Sequence, residues 1–270
     1  MGIKPEVEKF TEEKLEKAII ELFAGLQGYT HVPGETIHRK FEDILLEDDL
    51  RNFLINQNAD LTEIEITKII SRLKNIPSSP LYIANREAFW LVNEGFDLQR
   101  DEPGKIALHV NYIDFEKPEN NCFKVVNQYS VQGERLRRPD MLLFINGIPV
   151  AIFEFKTATE EDKTIYDAWK QIHIRYCRDI PKLMKYCFLS IISDGANTKM
   201  GSIFTPYEYY YAWNKIDGNE KVSNGISSLF TMAKGAFEID RLTAILRDFV
   251  CYPDDSNTDM AIVTRYPQFF

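Results

Sequence analysis

The most constraining stretch of this chain is RRPDMLLFINGIPVAIFEFK, residues 137–156. Two nearly unbroken apolar runs flank Asn146-Gly147. Asn-Gly between such runs is a strong hairpin signal, because both central positions of the tight turn need a positive φ. Strands that are apolar at successive positions, rather than alternately, are covered on both faces. A chain carrying this hairpin must therefore place layers on both sides of a sheet, which excludes an all-helical bundle.

Three ionisable residues interrupt the apolar runs: Asp140, Glu154 and Lys156. Glu154 and Lys156 lie two apart on one strand, so they point to the same face about 6–7 Å apart. A carboxylate in apolar surroundings is expensive unless it is paired or holds a cation. Whether Asp140 joins them depends on register. With residues 146–147 alone as the loop, Asp140 faces Phe153 and the two carboxylates lie on opposite faces. With a three-residue loop, 146–148, or an equivalent bulge, Asp140 faces Glu154. Only the second register lets both carboxylates share one cation, so that is the register we expect.

Two carboxylates and a lysine on one face suit metal-assisted phosphodiester hydrolysis. Hard carboxylate oxygens hold Mg²⁺, and the metal lowers the pKa of water and stabilises charge on phosphate. Lys156 would position or deprotonate the attacking water, or neutralise the phosphate. The backbone carbonyl of Phe155 is an additional candidate ligand. Pro-Asp alone or Glu-x-Lys alone carries little information, and a salt bridge at a sheet edge is the alternative reading.

Around this hairpin the chain divides by pattern. Residues 6–27, 39–57 and 82–94 have helical periodicity, and a further helix runs from the capping box Thr62-x-x-Glu65 to about Leu73. Strands are expected at 105–114, 122–132, 139–146, 148–156, 185–193 and 198–204. A helix is expected over 161–178, and two closing helices over 226–234 and 238–249. Pro253 to Asp259 is polar and reads as a linker. The expected fold is α/β, a mixed central sheet flanked by helices with an N-terminal helical layer. The divisions are 1–97 mainly helical, 98–205 the sheet core, 206–252 the closing helices, and 253–270 a linker with the start of a further domain.

Composition narrows the function. The formal net charge is −9, whereas a freestanding nucleic-acid binder is usually basic. The acidic balance suits a domain whose DNA is delivered by partners. Basic residues do cluster locally: Arg135, Arg137 and Arg138 before Asp140, and Lys163, Lys170, Arg175, Arg178, Lys182 and Lys185 after Lys156. Of these, Arg137, Arg138, Lys170, Arg175 and Arg178 are the candidates for phosphate contacts, with a solvated helix face as the alternative. Four scattered cysteines without a C-x-x-C pair argue against zinc and disulfides and fit the cytoplasm. The longest uncharged stretch of the core, Met141 to Phe153, has 13 residues. A membrane span needs ~20, so no membrane partner is expected. The sequence has no Gly-rich phosphate loop, no G-x-S-x-G and no H-E-x-x-H.

Pro139-Asp140 followed by Glu154-Phe155-Lys156 resembles the PD-(D/E)xK nuclease superfamily. Further segments resemble one family within it, the N-terminal nuclease domain of the R (HsdR) subunit of type I restriction–modification enzymes. They are LHVNYID at 108–114, residues 121–128, Gln171 onward, SDGANTKMGS at 193–202 and the final RYPQFF. The resemblance implies a restriction-endonuclease-like fold, with Asp140 and Glu154 on metal and Lys156 catalytic. That family also carries Gln-x-x-x-Tyr on the helix after the catalytic strand. Here Gln171 is followed by Tyr176, one residue late, and Arg175 takes the expected tyrosine place. On an α-helix a spacing of five turns the two about 140° apart. Gln171 is therefore a candidate for the site and the role of Tyr176 stays open; the alternative reading puts Tyr176 in the core and Gln171 on the helix surface. A glutamate of the first helix (Glu13, Glu16 or Glu21) is a further candidate near the metal.

The implied activity is that of a type I site-specific deoxyribonuclease: Mg²⁺-dependent cleavage of double-stranded DNA, with Mn²⁺ able to substitute. The implied partners are specificity and methyltransferase subunits. ATP would be needed only by a motor in a longer parent, since this chain has no Walker motif. Two other readings remain open: an independent endonuclease of the superfamily, and a docking or scaffold domain that keeps the fold without cutting.

Overall fold

A computed structural model describes residues 12–26, 28–156, 164–195, 197–217, 226–253 and 259–269. Among them, six strands form one mixed sheet in chain order: β1 (Tyr29–Pro33), β2 (Phe123–Asn127), β3 (Met141–Ile145), β4 (Ile148–Phe155), β5 (Leu189–Ser193) and β6 (Thr198–Gly201). β1 runs parallel to β2 and β4 parallel to β5, and the other neighbours are antiparallel. β3 and β4 are buried at every residue, as their continuous apolar runs require.

Helices cover the sheet. Helix α1 (Glu12–Gly25) packs on β1, β2 and β4. Its Phe23 lies edge-on to Tyr29, Phe153 and Phe237, with ring centroids 5.1, 5.8 and 5.8 Å away. Such aromatic pairs add about 0.5–1.5 kcal/mol each beyond area burial. Helices α2 (Glu47–Gln57), α3 (Glu63–Lys74) and α4 (Leu81–Glu94) form the N-terminal helical layer, with α4 ending at Gly95, φ 67°. The capping box of α3 forms as the sequence predicts: Thr62 Oγ1 accepts from the Glu65 N–H at 3.2 Å, and Glu65 Oε2 accepts from the Thr62 N–H at 2.9 Å. Helix α5 begins as Ile165–Lys170 and lies against β4 and β5. Helices α6 (Ile226–Ala236) and α7 (Ile239–Asp248) close the fold.

Several sequence expectations shift. The expected helix over 39–57 forms only from Glu47. Before it, the Leu46 N–H donates to the Gly147 carbonyl at 2.9 Å, and Tyr129 Oη donates to the Ile44 carbonyl at 3.0 Å. These tertiary bonds take groups that a helix would use. The strand expected from residue 185 starts at Leu189, because the Asn85 side-chain amide captures the carbonyls of Met184, Lys185 and Cys187. Strand β1 was not legible, since only Tyr29 of its five residues is buried and no alternation shows. The N-terminal part of the first expected helix, residues 6–11, and the start of the helix expected from 161 lie outside the described residues.

Candidate active site

The hairpin turn contains two residues. Asn146 and Gly147 adopt φ of 49° and 79°, and Ile145 pairs with Ile148. Both positive φ values match the tight turn that Asn-Gly favours. A Cβ on Gly147 would lie 2.1 Å from the Leu46 carbonyl oxygen. The Asn146 side chain is buried and fully engaged: Nδ2 donates to the Tyr112 carbonyl and to Asn121 Oδ1, and Oδ1 accepts from the Cys122 N–H. The three-residue loop does not form. Its equivalent does: Phe144 pairs with Pro149 and Leu143 with Ala151, so Val150 has no partner on β3. This bulge moves the register by one residue. Met141 pairs with Phe153, and continuing that register sets Asp140 opposite Glu154.

The site grows from that register. Asp140 Oδ2 accepts from the Phe155 N–H at 2.7 Å. Glu154 is fully buried. Its Oε1 accepts from Lys156 Nζ at 2.9 Å, and the same ammonium donates to the Phe155 carbonyl at 2.9 Å. Burial pushes the Glu154 carboxyl up to about 8, reinforced by the charge of Asp140 and opposed by Lys156.

Tyr176 is part of this arrangement. Its hydroxyl donates to Glu154 Oε2 at 3.0 Å and accepts from Gln171 Nε2 at 2.7 Å. Residues Gln171–Tyr176 form a π-helical turn continuing α5, followed by Cys177–Asp179 in α-helix. The Cys177 N–H reaches the Ile172 carbonyl, a five-residue step. A π turn stacks residues five apart, so the extra residue that should have swung Tyr176 away is absorbed. Tyr176, whose role the sequence left open, is a core residue whose hydroxyl also links Gln171 to Glu154. Tyr176 is buried, and burial beside Glu154 raises its hydroxyl well above the usual tyrosine range.

Of the three first-helix glutamates, Glu13 and Glu16 both line the cleft beside Asp140, and Glu16 is the one held there by side-chain hydrogen bonds. Its Oε1 accepts from Asn127 Nδ2 at 2.8 Å and its Oε2 from Gln128 Nε2 at 2.6 Å. Glu13, Glu16, Glu35, Arg138 and Asp140 share one open cleft with Gln128. Glu21 is exposed and lies 4.0 Å from Lys17. The Asn127–Gln128 amides were not singled out from sequence. Two consecutive amides closing a buried strand were the available signal.

The basic candidates divide. Arg138 and Arg175 are exposed. Lys170 pairs with Asp167 at 2.7 Å. Arg137 and Arg178 both hold the buried Asp179, at 2.5 and 2.6 Å. Lys185 is buried, its Nζ donating to the carbonyls of Lys74 and Ile76; it therefore presents no charge to a phosphate. Lys163 lies outside the described residues.

The donor set fits a hard divalent cation, for which carboxylate and carbonyl oxygens are the preferred ligands. The Lys156 ammonium already sits as a cation between Glu154 Oε1 and the Phe155 carbonyl. Among the described residues, no cluster of three or more His, Cys, Asp or Glu side chains is placed to hold a metal by itself. Any ion here would need the backbone carbonyl, water or substrate oxygens as well. No helix of the described residues is long and apolar enough to cross a membrane.

The chain has relatives among known proteins. The chain is 29% identical over 296 residues to a Methanocaldococcus jannaschii protein assigned as the endonuclease subunit of the type I restriction enzyme MjaIXP, covering 99% of this chain and 28% of that protein. It is 24% identical over 271 residues to the endonuclease subunit of the type I restriction enzyme HindI of Haemophilus influenzae, covering 98% of this chain and 26% of that protein. The chain thus spans about a quarter of the length of these relatives. The family model for the type I restriction enzyme R protein N terminus matches residues 9–209. By that match the chain belongs to the type I restriction enzyme R protein N-terminal family.

Proposed function

We propose that this chain is a divalent-metal-dependent DNA endonuclease domain, working as the nuclease part of a type I restriction enzyme's motor subunit. The observation that carries the reading is Asp140 facing Glu154, with Lys156 bridging Glu154 and the Phe155 carbonyl. Asp140, Glu154 and the Phe155 carbonyl would hold Mg²⁺ or Mn²⁺. When bound, such an ion supplies Lewis-acid stabilisation of charge on the phosphate and a low-pKa water. Lys156 supplies positive charge within 2.9 Å of Glu154, where it offsets the charge that a scissile phosphate brings. Tyr176 and Gln171 fix the orientation of Glu154, and the exposed Arg138 and Arg175 would meet the DNA backbone.

The names of the relatives support a restriction complex. In the proposed assembly, double-stranded DNA reaches the site in the cytoplasm, and specificity and methyltransferase subunits choose it. Residues 1–252 would be the nuclease domain, and 253–270 would lead into an ATP-driven motor. ATP hydrolysis would belong to the longer parent and not to this chain. The facing carboxylates weigh against a docking-only role, for which opposite faces would have sufficed.

Titrating Mn²⁺ into the chain in the presence of a short DNA duplex tests the reading. Binding should be lost in Asp140→Ala and Glu154→Ala and kept in Lys156→Ala, while cleavage by the assembled enzyme should be lost in all three. Identical metal binding in the wild type and both carboxylate variants would overturn it.

A further inference from the structure

Gln128 follows β2 at the point where the strand meets the site, and its backbone is unusual. Its φ is 53°, a left-handed conformation that glycine adopts freely and that glutamine, which has a Cβ, adopts rarely. A turn residue alone would be better served by glycine or asparagine. Gln128 instead makes two contacts that a glycine could not combine. Its backbone N–H donates to the Asp140 carbonyl at 3.0 Å. Its side-chain amide donates to Glu16 Oε2 at 2.6 Å. One residue thus joins the chain at Asp140 to the carboxylate on α1 that shares its cleft.

The neighbours make this link stiff. Asn127 donates to the other Glu16 oxygen at 2.8 Å, and its own Oδ1 engages His31 Nε2 at 2.9 Å. Gly34 backs the strand end so closely that a Cβ there would lie 2.6 Å from the Asn127 carbonyl oxygen and 2.9 Å from that of Gln128. The backbone at 127–128 therefore has little room to shift toward β1. Glu16 is held through both of its oxygens, and the holding groups are amides, which orient a carboxylate without neutralising it.

We propose that Gln128 is a positioning residue, which fixes the Glu16 carboxylate relative to Asp140 for divalent-cation binding. The inference deepens the nuclease reading and rests on it. Gln128 touches neither ion nor substrate and acts through Glu16.

The test is Mn²⁺ affinity, read from the electron paramagnetic resonance of free ion with a short DNA duplex present, alongside thermal melting. Gln128→Gly keeps the backbone conformation and removes the amide; Gln128→Asn is the second variant, since it tolerates the same φ and is too short to reach Glu16. Both should weaken Mn²⁺ binding about 10- to 100-fold, the range for partners that orient a metal ligand, with melting unchanged or raised. In a Glu16→Gln background the same substitutions should add nothing, because residues acting as one unit are not additive. Unchanged Mn²⁺ affinity in both variants, or an undiminished loss in the Glu16→Gln background, overturns the positioning role. Asp140→Asn separates the two levels: if it too leaves Mn²⁺ affinity unchanged, the metal-site reading itself has failed.

Discussion

Asp140 and Glu154 come face to face because Val150 has no partner across the hairpin. The tight turn at Asn146-Gly147 by itself sets Asp140 against Phe153. One bulged residue, placed between the turn and the site, reverses that outcome for every residue beyond it. The turn optimises local backbone geometry and the bulge corrects the register, so the two requirements are met at separate places in the hairpin, Asn146-Gly147 and Val150.

The pairing of Glu154 with Lys156 makes stability depend on both. Removing one partner of a buried pair typically costs about 3–5 kcal/mol when the other is left charged, so above about pH 8, where Glu154 is ionised, Lys156→Met should destabilise the chain by that order. The double variant Glu154→Gln/Lys156→Met should recover most of the loss. The sign with pH follows from the raised Glu154 carboxyl. Between the ordinary glutamate range and about pH 8 the folded chain holds a proton that the unfolded chain has released. This group's contribution to stability therefore falls as pH rises through that window. Urea unfolding of the metal-free chain at the two ends of the window measures it.

The π turn of α5 predicts an unusual tolerance. Ile174 is 50% exposed and lies inside the turn. Deleting it should convert the turn to regular α-helix and bring Gln171 and Tyr176 to the four-residue spacing, with melting temperature kept or raised. Deleting the buried Ala168 from the same helix should abolish folding. Circular dichroism melts of the two deletions decide this.

Tyr176→Phe removes a hydroxyl that donates to a carboxylate and accepts from Gln171. Hydrogen bonds to charged groups contribute about 1.5–3 kcal/mol, so a loss in that range is expected by denaturant titration. Cleavage should fall as well, because Glu154 loses its orienting partner.

Asn146→Ala should be among the costliest single changes in the turn. It strains a positive φ and leaves the Cys122 N–H, the Tyr112 carbonyl and Asn121 without their partner. Each buried group left unsatisfied costs about 1–3 kcal/mol. Asn146→Gly relieves the φ and keeps the hydrogen-bond loss, so it should lie between Asn146→Ala and wild type in chemical denaturation.

The buried Glu65 accepts from Arg100 and from the Thr62 backbone, and the Arg100 guanidinium holds its carboxyl well below the ordinary range. A depressed carboxyl contributes stability that is present above its unfolded value and is lost as pH falls through the folded one. Arg100→Met should lower stability at neutral pH and flatten the acid dependence, which urea titrations at neutral and acidic pH would show.

The α3 capping box, the Gly95 stop of α4 and the fully buried strands β3 and β4 were legible because each is written in local chemistry: a Thr-x-x-Glu spacing, a glycine after a helical period, a continuous apolar run. Residues 39–46 and strand β1 were not legible, because their backbone partners come from distant segments: Gly147 for Leu46, and Phe123 to Asn127 for Tyr29 to Pro33. Glu16 was one of three equivalent glutamates until the amides of Asn127 and Gln128 selected it.

The sequence by itself determined the turn, the apolar strands and the ionisable types inside them, since a positive-φ pair and a buried carboxylate are constraints on single residues and their neighbours. Tertiary structure alone decided which groups meet. A bulge at Val150 and a π turn over Gln171–Tyr176 each absorb one residue, and one residue is enough to change which face a strand side chain takes and to swing a helical side chain to a different side. Those single-residue adjustments are fixed by packing against the rest of the sheet, where misplacing Glu154 or Tyr176 would bury a polar group without its partner.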